Sequence, residues 1–429
     1  MRIALISEHA SPLAVAGGVD AGGQNIYVLH VARQLARRGH AVDVYTRRDA
    51  PDLPWRVDLA PNLRVLHVAA GPARPIPKEK LLRYMPAFSR EVARVALTRG
   101  LYDISHANFF MSGIASAALR REFGIPFAIT FHALGRVRQL HQGGNDAFPP
   151  ERNQIEDMLV RFADRVIAEC PQDVADLERL YGADRSRMSC IPCGFDRREF
   201  GPLDRREARR ALGLAAHELV VLQLGRLVPR NGIDNVIQAL GLLRPRLTQP
   251  MRLLVVGGNS DTPDEAQTPE IARLRTVARE AGVADIVHFT GRRRREQLRQ
   301  YYNAADVFVT TPWYEPFGIT PLEAMACGTP VIGSRVGGIQ ETVVDGVTGL
   351  LVPPRDPPAL AAALQQLAEA PEYARALGRA GMARVRRFYS WERVATELEA
   401  VYESIISQEN ALEQTAQSQP AHESAEVVS

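Results

Sequence analysis

The stretch from Trp313 to Val352 constrains the fold of this chain more than any other part of its sequence. The segment Asp-Val-Phe-Val-Thr at 306–310 just before it has the pattern of a buried strand, and a Pro-Phe-Gly turn follows at 316–318. We expect a helix after this turn that ends near Gly328, since glycine suits a C-cap and Pro330 cannot continue a helix. A second apolar run begins at Pro330. Strand, loop, helix and strand in this order form the unit from which parallel sheets are built.

Two glutamates, Glu315 and Glu323, stand eight residues apart around this turn. The helix start at Phe317, Gly318 and Ile319 offers unpaired backbone N–H groups and the positive end of a helix dipole, which suit a phosphate. A phosphate site between two carboxylates that accept hydrogen bonds from hydroxyl groups fits a nucleotide sugar. Taken alone, the glutamates favour a simpler interpretation, a solvated helix residue and a loop charge, because short motifs match by chance.

The whole string WYEPFGITPLEAMACGTPVIGSRVGGIQETVVDGVTGLLV outweighs that simpler interpretation. It resembles the E-x7-E signature of retaining glycosyltransferase family 4, whose members have the two-domain GT-B fold, and the resemblance is nearly unbroken from Pro312 to Pro354. The opening stretch SEHASPLAVAGGVDAGGQNIYV is similar to a narrower branch of this family. That branch contains sucrose-phosphate synthases and the inositol-phosphate glycosyltransferases of mycothiol synthesis. The similarity extends over about residues 1–400.

Length and composition agree with two globular domains. A chain of 429 residues is too long for one ordinary domain and suits two of about 200 residues. The net charge of +3 gives no electrostatic basis for binding nucleic acid, and no apolar run approaches the roughly 20 residues of a membrane helix. The N-terminus predicts a first strand rather than a signal peptide. Four scattered cysteines without a complete zinc-site pattern predict reduced thiols in a cytoplasmic protein: Cys170, Cys190, Cys193 and Cys327.

Residues 1–196 predict a first doubly wound domain. Strands are predicted at 2–6, 41–45, 63–68, 104–106, 127–132, 165–168 and 188–192, and helices at about 24–38 and 80–99. The glycine-rich loop at 17–23 lets a ligand approach the backbone, but it is not a G-x-G-x-x-G pattern and alone supports any nucleotide-binding function only weakly. His132 lies at the carboxyl end of a predicted strand, where ligand-facing residues of such sheets are found. A lone histidine there is slightly more often structural.

Residues 197–389 predict a second domain of the same α/β class after a linker at 194–206. Its strands are predicted at 219–224, 252–256, 286–290, 306–310 and 330–333, and its helices near 234–243, 269–281, 357–370 and 373–388, with another beginning at the basic run 292–295. A last helix at 390–407 is capped by Ser390 and, by the family resemblance, packs back on the first domain. Residues 408–429 predict a disordered tail. Two doubly wound domains facing each other create a cleft between the carboxyl ends of their sheets.

The resemblance implies a role for individual residues on the donor side. Gly22 and Gly23 would approach the diphosphate, His132 the donor sugar and the scissile bond, and Arg226 the phosphates. Leu322 would lie near the base. Glu315 would bind the sugar and Glu323 the ribose. The implied catalytic residues are His132, Glu315 and Arg226. The implied donor-binding residues are Gly22, Gly23, Arg226, Arg230, Asn231, Glu315, Phe317, Gly318, Ile319, Leu322 and Glu323.

The chain departs from the family pattern at several of these positions. The family has a GR-x4-K pattern, and in this chain Asn231 stands at the position of its lysine. The adjacent Arg230 is the expected substitute. In this branch an acceptor phosphate is held by a lysine, a tyrosine, a threonine or serine, and an arginine, but here Phe109 and Ala133 replace the two hydroxyl residues. The residues that match acceptor-side positions are His9, Asn25, Lys78, Phe109 and Arg152.

The sequence thus predicts a metal-independent retaining glycosyltransferase that moves a hexose from a nucleoside diphosphate sugar, with UDP favoured, to an acceptor hydroxyl. No cofactor is expected, and an Asp-x-Asp metal signature is absent from the sequence. The expected acceptor is a sugar, a polyol or a glycan or glycolipid, in a cytoplasmic protein whose peripheral contact with a membrane is left open. Two alternatives remain: a catalytically silent protein that binds sugar nucleotides, and a UDP-sugar epimerase or phosphorylase that shares the fold.

Overall fold

A computed structural model describes residues 1–14 and 22–418 of the chain. Residues 17–21 of the predicted glycine-rich loop lie outside the described residues, whereas Gly22 and Gly23 lie within them. The described strands form two separate sheets, one of eight strands and one of six, and helices connect most of the successive strands. The predicted α/β class with two doubly wound domains is confirmed.

The first sheet is parallel except at one edge. Its strands are β1 (Arg2–Ile6), β2 (Ala41–Arg47), β3 (Arg56–Ala60), β4 (Leu63–Val68), β5 (Ile104–Asn108), β6 (Phe127–Thr130), β7 (Arg165–Ala168) and β8 (Met188–Cys190). Their order across the sheet is β3-β4-β2-β1-β5-β6-β7-β8, and only β3 with β4 is antiparallel. The sequence pattern does not predict β3, because this edge strand is partly exposed and lacks a continuous apolar run.

The second sheet is parallel throughout. Its strands are β9 (Leu219–Leu224), β10 (Met251–Val256), β11 (Val287–Gly291), β12 (Val307–Thr310), β13 (Val331–Ser334) and β14 (Leu350–Val352), in the order β11-β10-β9-β12-β13-β14. The direction in which strands are added reverses between β9 and β12, and in the first sheet between β1 and β5. Loops diverge at such points and leave a crevice at the carboxyl ends of the strands, where ligands bind in folds of this type.

The predicted strands consist of continuous apolar segments because both faces of each sheet are buried. Residues 3–6 of β1 and 220–222 of β9 are at most 1% exposed. A parallel strand between two helical layers consists of continuous apolar residues rather than an alternating pattern. This is why the central strands were predictable from composition alone.

Six of the described helices belong to the first domain, and nine more follow them. The first six are α1 (Gly23–Arg37), α2 (Met85–Arg99), α3 (Phe110–Phe123), α4 (Gly135–Gln142), α5 (Glu151–Phe162) and α6 (Pro171–Tyr181). The others are α7 (Arg205–Ala211), α8 (Ile233–Leu243), α9 (Glu270–Glu280), α10 (Arg295–Ala304), α11 (Ile319–Ala326), α12 (Ile339–Thr342), α13 (Pro357–Glu369), α14 (Pro371–Phe388) and α15 (Trp391–Ser418). Within the described ranges, no helix combines the length and apolar character needed to cross a bilayer.

Helix α11 ends as its sequence predicts. Its C-cap is Cys327, and Gly328 follows with a φ of 80°, a left-handed conformation that glycine adopts without strain. Pro330 then precedes β13 and prevents the helix from continuing. The predicted unit of strand, loop, helix and strand around Glu315 and Glu323 is therefore confirmed.

The last helix, α15, lies against α1 of the first domain. Its Trp391 ring stacks on His30 at a centroid distance of 5.1 Å, and Glu399 accepts a hydrogen bond from His40 at 2.7 Å. The helix continues to Ser418, so the prediction of a disordered tail is wrong for residues 408–418. Their Glu, Ala, Gln and Leu residues have high helix propensity, which composition alone did not separate from disorder. Residues 419–429 lie outside the described residues.

The two segments that connect the domains touch each other. The backbone N–H of Phe195, in the linker, donates to the carbonyl oxygen of Tyr389 at 3.0 Å, and Phe195 forms an isolated parallel bridge with Ser390. A Cβ on Gly194 would lie 2.7 Å from the backbone nitrogen of Trp391. Only glycine permits this close approach.

Candidate active site

Two adjoining cavities lie between the domains at the carboxyl ends of both sheets. The first-domain cavity is lined mostly by loops of the first sheet and includes His132 and Glu169, and the second-domain cavity is lined mostly by loops of the second sheet and includes Asn231 and Glu323. A shared wall separates them and contributes to both. It consists of Gly22, Gly23, Arg226, Arg230, Glu315, Gly318 and Ile319.

Helices α1 and α11 point their N-terminal ends toward each other at this shared wall. A Cβ on Gly23 would lie 3.6 Å from Cδ1 of Ile319, the first residue of α11, and a Cβ on Gly22 would lie 3.9 Å from Nε of Arg226. The first backbone N–H groups of each helix have no partner inside the helix, and the helix dipole adds partial positive charge. Two helix ends and the Arg226 guanidinium therefore converge in an arrangement that suits a diphosphate.

The loop that carries Glu315 is fixed by close backbone packing. A Cβ on Gly337 would lie 1.7 Å from the carbonyl oxygen of Glu315, and a Cβ on Gly338 would lie 2.5 Å from Cα of Phe317. Gly318 has a φ of 88° where the loop turns into α11. Because only glycine tolerates these approaches and this dihedral angle, the turn that begins α11 has a defined position.

Glu315 is partly buried near two arginines. Burial raises the pKa of its carboxyl group, and the positive charges of Arg230 and Arg226 oppose this increase. Nη1 of Arg230 lies 3.8 Å from Oε2 of Glu315, and the Arg230 guanidinium lies over the ring of Tyr314 at 5.2 Å from its centroid. Arg230 therefore brings a second positive charge to the shared wall.

Asn231 stands where the family resemblance predicts a lysine. Its side-chain Nδ2 donates to the carbonyl oxygen of Arg226 at 2.7 Å, and its Oδ1 is buried without a hydrogen-bond partner among the described groups. Asn231 lines only the second-domain cavity, whereas Arg230 lines both. The Asn231 side chain thus holds the loop after β9 in place, and the positive charge at this end of the shared wall comes from the adjacent Arg230.

Glu323 is buried in the wall of the second-domain cavity. It is 1% exposed, and its carboxylate accepts hydrogen bonds from Nη1 of Arg295 and from the hydroxyl of Tyr302, both at 2.8 Å. Arg295 also pairs with Glu199 of the linker. The simpler interpretation of Glu323 as a solvated helix residue is therefore wrong.

His132 lies in the first-domain cavity with both ring nitrogens engaged. Its Nδ1 is 3.1 Å from Oε1 of Glu169, and its Nε2 is 3.0 Å from Oδ1 of Asn108. The ring also packs edge-on against Tyr27 at a centroid distance of 4.8 Å. His132 lies two residues beyond the end of β6 rather than in the strand, and its φ of 56° is unusual for a residue other than glycine.

The five residues that match acceptor-side positions all line the first-domain cavity: His9, Asn25, Lys78, Phe109 and Arg152. Arg152 is 2% exposed and donates to Glu156 at 2.7 Å, so its charge is compensated by a buried carboxylate. Its guanidinium lies over the ring of Phe109 at 5.0 Å. Asn25 accepts a hydrogen bond from the backbone N–H of Gly22 at 2.9 Å and thereby caps α1.

Several residues of the site were not predicted, and one predicted residue lies outside it. Asn108, Glu169 and Cys193 form hydrogen bonds around His132, and each lies at or just after the carboxyl end of a strand. The rule that identified His132 could have found them too. Leu322 lines neither cavity, because it is fully buried in the core.

Among the described side chains, one group of three has metal-binding atoms close together: His30, Asp196 and Glu199. This group lies at the linker and does not line either cavity. Burial, followed by the charge of Arg295, lowers the pKa of His30 to about 3, and Arg295 already pairs with Glu199. The guanidinium supplies the positive charge that an ion would bring, so this group is already compensated.

Two doubly wound domains that face each other across paired cavities define a glycosyltransferase of the GT-B type. Residues 21–199 match the family model described as Glycosyltransferase Family 4, and residues 204–384 match that of Glycosyl transferases group 1. The chain belongs to glycosyltransferase family 4, in the branch that contains D-inositol 3-phosphate glycosyltransferases and sucrose-phosphate synthase.

D-inositol 3-phosphate glycosyltransferase from Actinosynnema mirum is 39% identical over 411 residues, which cover 94% of this chain and 96% of that protein. The protein of the same name from Acidothermus cellulolyticus is 37% identical over 413 residues, covering 95% and 91%. Sucrose-phosphate synthase from Thermosynechococcus elongatus has a structure with a TM-score of 0.87 and 37% identity, covering 95% of this chain and 99% of that one.

More distant structures share the fold. The Anabaena protein Alr3699/HepE in complex with UDP and glucose has a TM-score of 0.74 at 21% identity, covering 94% of this chain and all of that one. At this identity the likeness concerns the arrangement of the two domains.

Proposed function

We propose that this glycosyltransferase moves a hexose from a nucleoside diphosphate sugar, with UDP as the nucleotide, to a hydroxyl group of a sugar or polyol acceptor. We further propose that the anomeric configuration is retained and that no metal ion is required. The observation that carries the proposal is the shared wall, where two helix N-termini converge with Arg226 and Arg230. Such a wall binds a diphosphate and stabilises it as it departs.

On this proposal the nucleoside occupies the second-domain cavity. The carboxylate of Glu323, oriented by Arg295 and Tyr302, accepts hydrogen bonds from the ribose hydroxyls. The diphosphate lies against the shared wall, and Glu315 accepts hydrogen bonds from the hexose. A charge-assisted bond of this kind contributes about 1.5–3 kcal/mol.

The acceptor occupies the first-domain cavity, beside the reactive carbon. The bond from the anomeric carbon to the phosphate oxygen breaks, and the acceptor oxygen forms a bond to that carbon on the same face. The acceptor proton passes to the departing phosphate oxygen, so the products are a glycoside and a nucleoside diphosphate. Protein groups hold the substrates in place and stabilise the developing charge.

Arginines and helix ends are proposed to replace a divalent cation at the diphosphate. Arg226 and Arg230 supply two positive charges at the shared wall, and the helix dipoles add to them. Turnover is therefore expected to continue in excess EDTA. Complete loss of turnover that only Mg²⁺ or Mn²⁺ restores would contradict this part of the proposal.

The test of the proposed reaction is a panel of UDP-, ADP- and GDP-sugars, each with and without sugar and polyol acceptors. We expect acceptor-dependent release of the nucleotide, fastest with a UDP-sugar. The anomeric coupling constant in the NMR spectrum of the product reports retention. An inverted product would refute the retaining mechanism, and faster release from an ADP- or GDP-sugar would refute the choice of UDP.

One observation favours a second candidate, a protein that binds sugar nucleotides without turning them over. Asn231 is neutral and its amide donates to the Arg226 carbonyl. Position 231 therefore supplies neither a positive charge nor this N–H group to the diphosphate. In the same panel this candidate would bind one nucleotide sugar and release no nucleotide with any acceptor. Equal release with and without acceptor would instead indicate hydrolysis.

A further inference from the structure

We propose that Glu169 is a positioning residue whose carboxylate, together with the amide oxygen of Asn108, holds His132 in its doubly protonated, positively charged form. On this proposal His132 is a fixed positive charge in the first-domain cavity. It does not act as an acceptor of protons.

The first observation is a row of hydrogen-bonded side chains along the carboxyl edge of the first sheet. Strands β5, β6, β7 and β8 are neighbours in this sheet, and one member of the row lies at or after the carboxyl end of each. Asn108 ends β5, His132 follows β6, Glu169 follows β7, and Cys193 follows β8. His132 bonds to Asn108 at 3.0 Å and to Glu169 at 3.1 Å, and Cys193 Sγ donates to Glu169 at 3.1 Å.

The second observation fixes the orientation of the Asn108 amide. Its Nδ2 donates to the carbonyl oxygens of His106 at 3.3 Å and Ile6 at 3.4 Å, so its Oδ1 is the atom that faces His132. Both ring nitrogens of His132 therefore face oxygen atoms that only accept hydrogen bonds. An imidazole satisfies two acceptors only when both nitrogens carry a proton.

The third observation is the charge of Glu169 in a buried position. Glu169 is 3% exposed, and burial alone raises the pKa of a carboxyl group. Its contact with His132 and the hydrogen bonds from His132 and Cys193 oppose this effect, and the pKa of Glu169 lies below its usual value. A buried carboxylate needs such a partner, and a positively charged His132 is the one it contacts.

Other titratable groups around the pair leave this arrangement intact. Burial raises the pKa of the Cys193 thiol well above its usual value, so the thiol remains a hydrogen-bond donor. Burial, followed by the charge of His132, lowers the pKa of His106 to about 3, which keeps His106 neutral. Further titratable or charged neighbours among the described residues include Tyr27 on α1, Cys170 and Asp173 at the start of α6, and Arg226, Arg230 and Glu315 across the cleft.

The catalytic consequence rests on the proposed function. A positive charge in the first-domain cavity, which shares a wall with the diphosphate, stabilises the negative charge of the departing group, and the acceptor proton must go to the phosphate because His132 has no free nitrogen to take it. The protonation state itself can be measured without any substrate. Failure of the proposed reaction and failure of this inference are therefore distinguishable.

The experiment uses the full chain with ¹⁵N-labelled histidine, and a His132→Asn variant identifies the signals of His132. We expect both ring nitrogens of His132 to be protonated at pH 8 in the unsubstituted protein. In Glu169→Gln, which replaces the carboxylate by an amide of the same shape, we expect one nitrogen to lose its proton at pH 8. Glu169→Asp should keep both protons, and Glu178→Gln, a partly exposed glutamate of α6, serves as the matched control. A neutral His132 in the unsubstituted protein, or no change in Glu169→Gln, would overturn the proposal.

The kinetic test uses the dependence on pH that a purely structural role would not produce. Loss of a charged hydrogen bond corresponds to a decrease in kcat/KM of about 10- to 100-fold for Glu169→Gln at pH 8. The deficit should shrink toward pH 6, since protons from solution then restore the charge on His132. An equal deficit at both pH values, with the ring protons unchanged, would show that Glu169 only supports the fold.

Discussion

Substitution of Arg230 by methionine tests the electrostatics of the shared wall most directly. Methionine keeps an unbranched apolar side chain beside the Tyr314 ring and removes the positive charge. The charge acts on two partners, the diphosphate of the proposed donor and the carboxylate of Glu315 at 3.8 Å. Both effects should weaken catalysis, and they differ in their dependence on pH.

The magnitudes follow from these two contacts. Loss of a charge-assisted hydrogen bond to a phosphate costs about 1.5–3 kcal/mol, or roughly 10- to 150-fold in kcat/KM. At 3.8 Å, two unit charges attract by about 1 to 4 kcal/mol, depending on the effective dielectric constant. Because 16% of the Arg230 side chain and 27% of the Glu315 side chain are exposed, screening favours the lower value. Loss of this attraction should therefore raise the pKa of Glu315 further.

The sign of the pH effect follows from the charge of Glu315. Burial already raises its pKa, and the variant removes one of the two charges that oppose this increase. The ionised carboxylate is lost as pH falls through the pKa, so the acidic limb of the kcat/KM profile should move to higher pH in Arg230→Met. The profile is measured between pH 5 and pH 8, and UDP affinity is measured by calorimetry.

A matched control is Arg244→Met, which removes another partly exposed arginine paired with an aspartate, near the end of α8. This control should leave the pH profile and UDP affinity unchanged. If Arg230→Met kept full kcat/KM and full UDP affinity while folded, the diphosphate would not be bound at this corner. A decrease without any movement of the acidic limb would show that Arg230 does not act on Glu315.

Three further predictions concern neighbouring positions. Asn231→Lys should change kcat/KM by less than about threefold, because Arg230 already supplies the charge; a tenfold rise would show that the asparagine is an uncompensated loss. Glu323→Gln should weaken UDP binding at least about tenfold with little loss of thermal stability, whereas alanine would also remove the acceptor of the Arg295 and Tyr302 hydrogen bonds; unchanged UDP affinity in calorimetry would remove Glu323 from the site. The acceptor should show less than about hundredfold preference for a phosphorylated form in competition assays, since Arg152 is already paired with a buried carboxylate; a larger preference that disappears in Lys78→Ala would contradict this.

The fold was predictable wherever burial leaves a continuous apolar run or a helix has a clear end. Strands such as β9 and helix α11, with Gly328 and Pro330 after it, follow directly from the sequence. The edge strand β3 did not, because exposure on one side removes the apolar signal. The helical residues 408–418 did not either, since their polar composition suits both a solvated helix and a disordered chain.

The candidate site could be placed from the sequence where a contiguous motif carries its residues. Glu315 and Glu323 lie close in sequence, and the structure brings both to the cavities between the domains. The partners of His132 are different, because Asn108 and Glu169 lie 24 and 37 residues away in sequence. Their contact depends on the order of strands in the sheet, which a one-dimensional pattern does not contain.

The contact between the two connecting segments, where Phe195 meets Tyr389 and Ser390, has a mechanical consequence. Two separate connections would resist a change in the angle between the domains, because one would have to lengthen while the other shortened. Here the two segments are hydrogen-bonded to each other, so a rotation of the domains about this contact would stretch neither of them. The point about which the cleft would open, where Gly194 meets the backbone of Trp391, therefore lies outside both cavities.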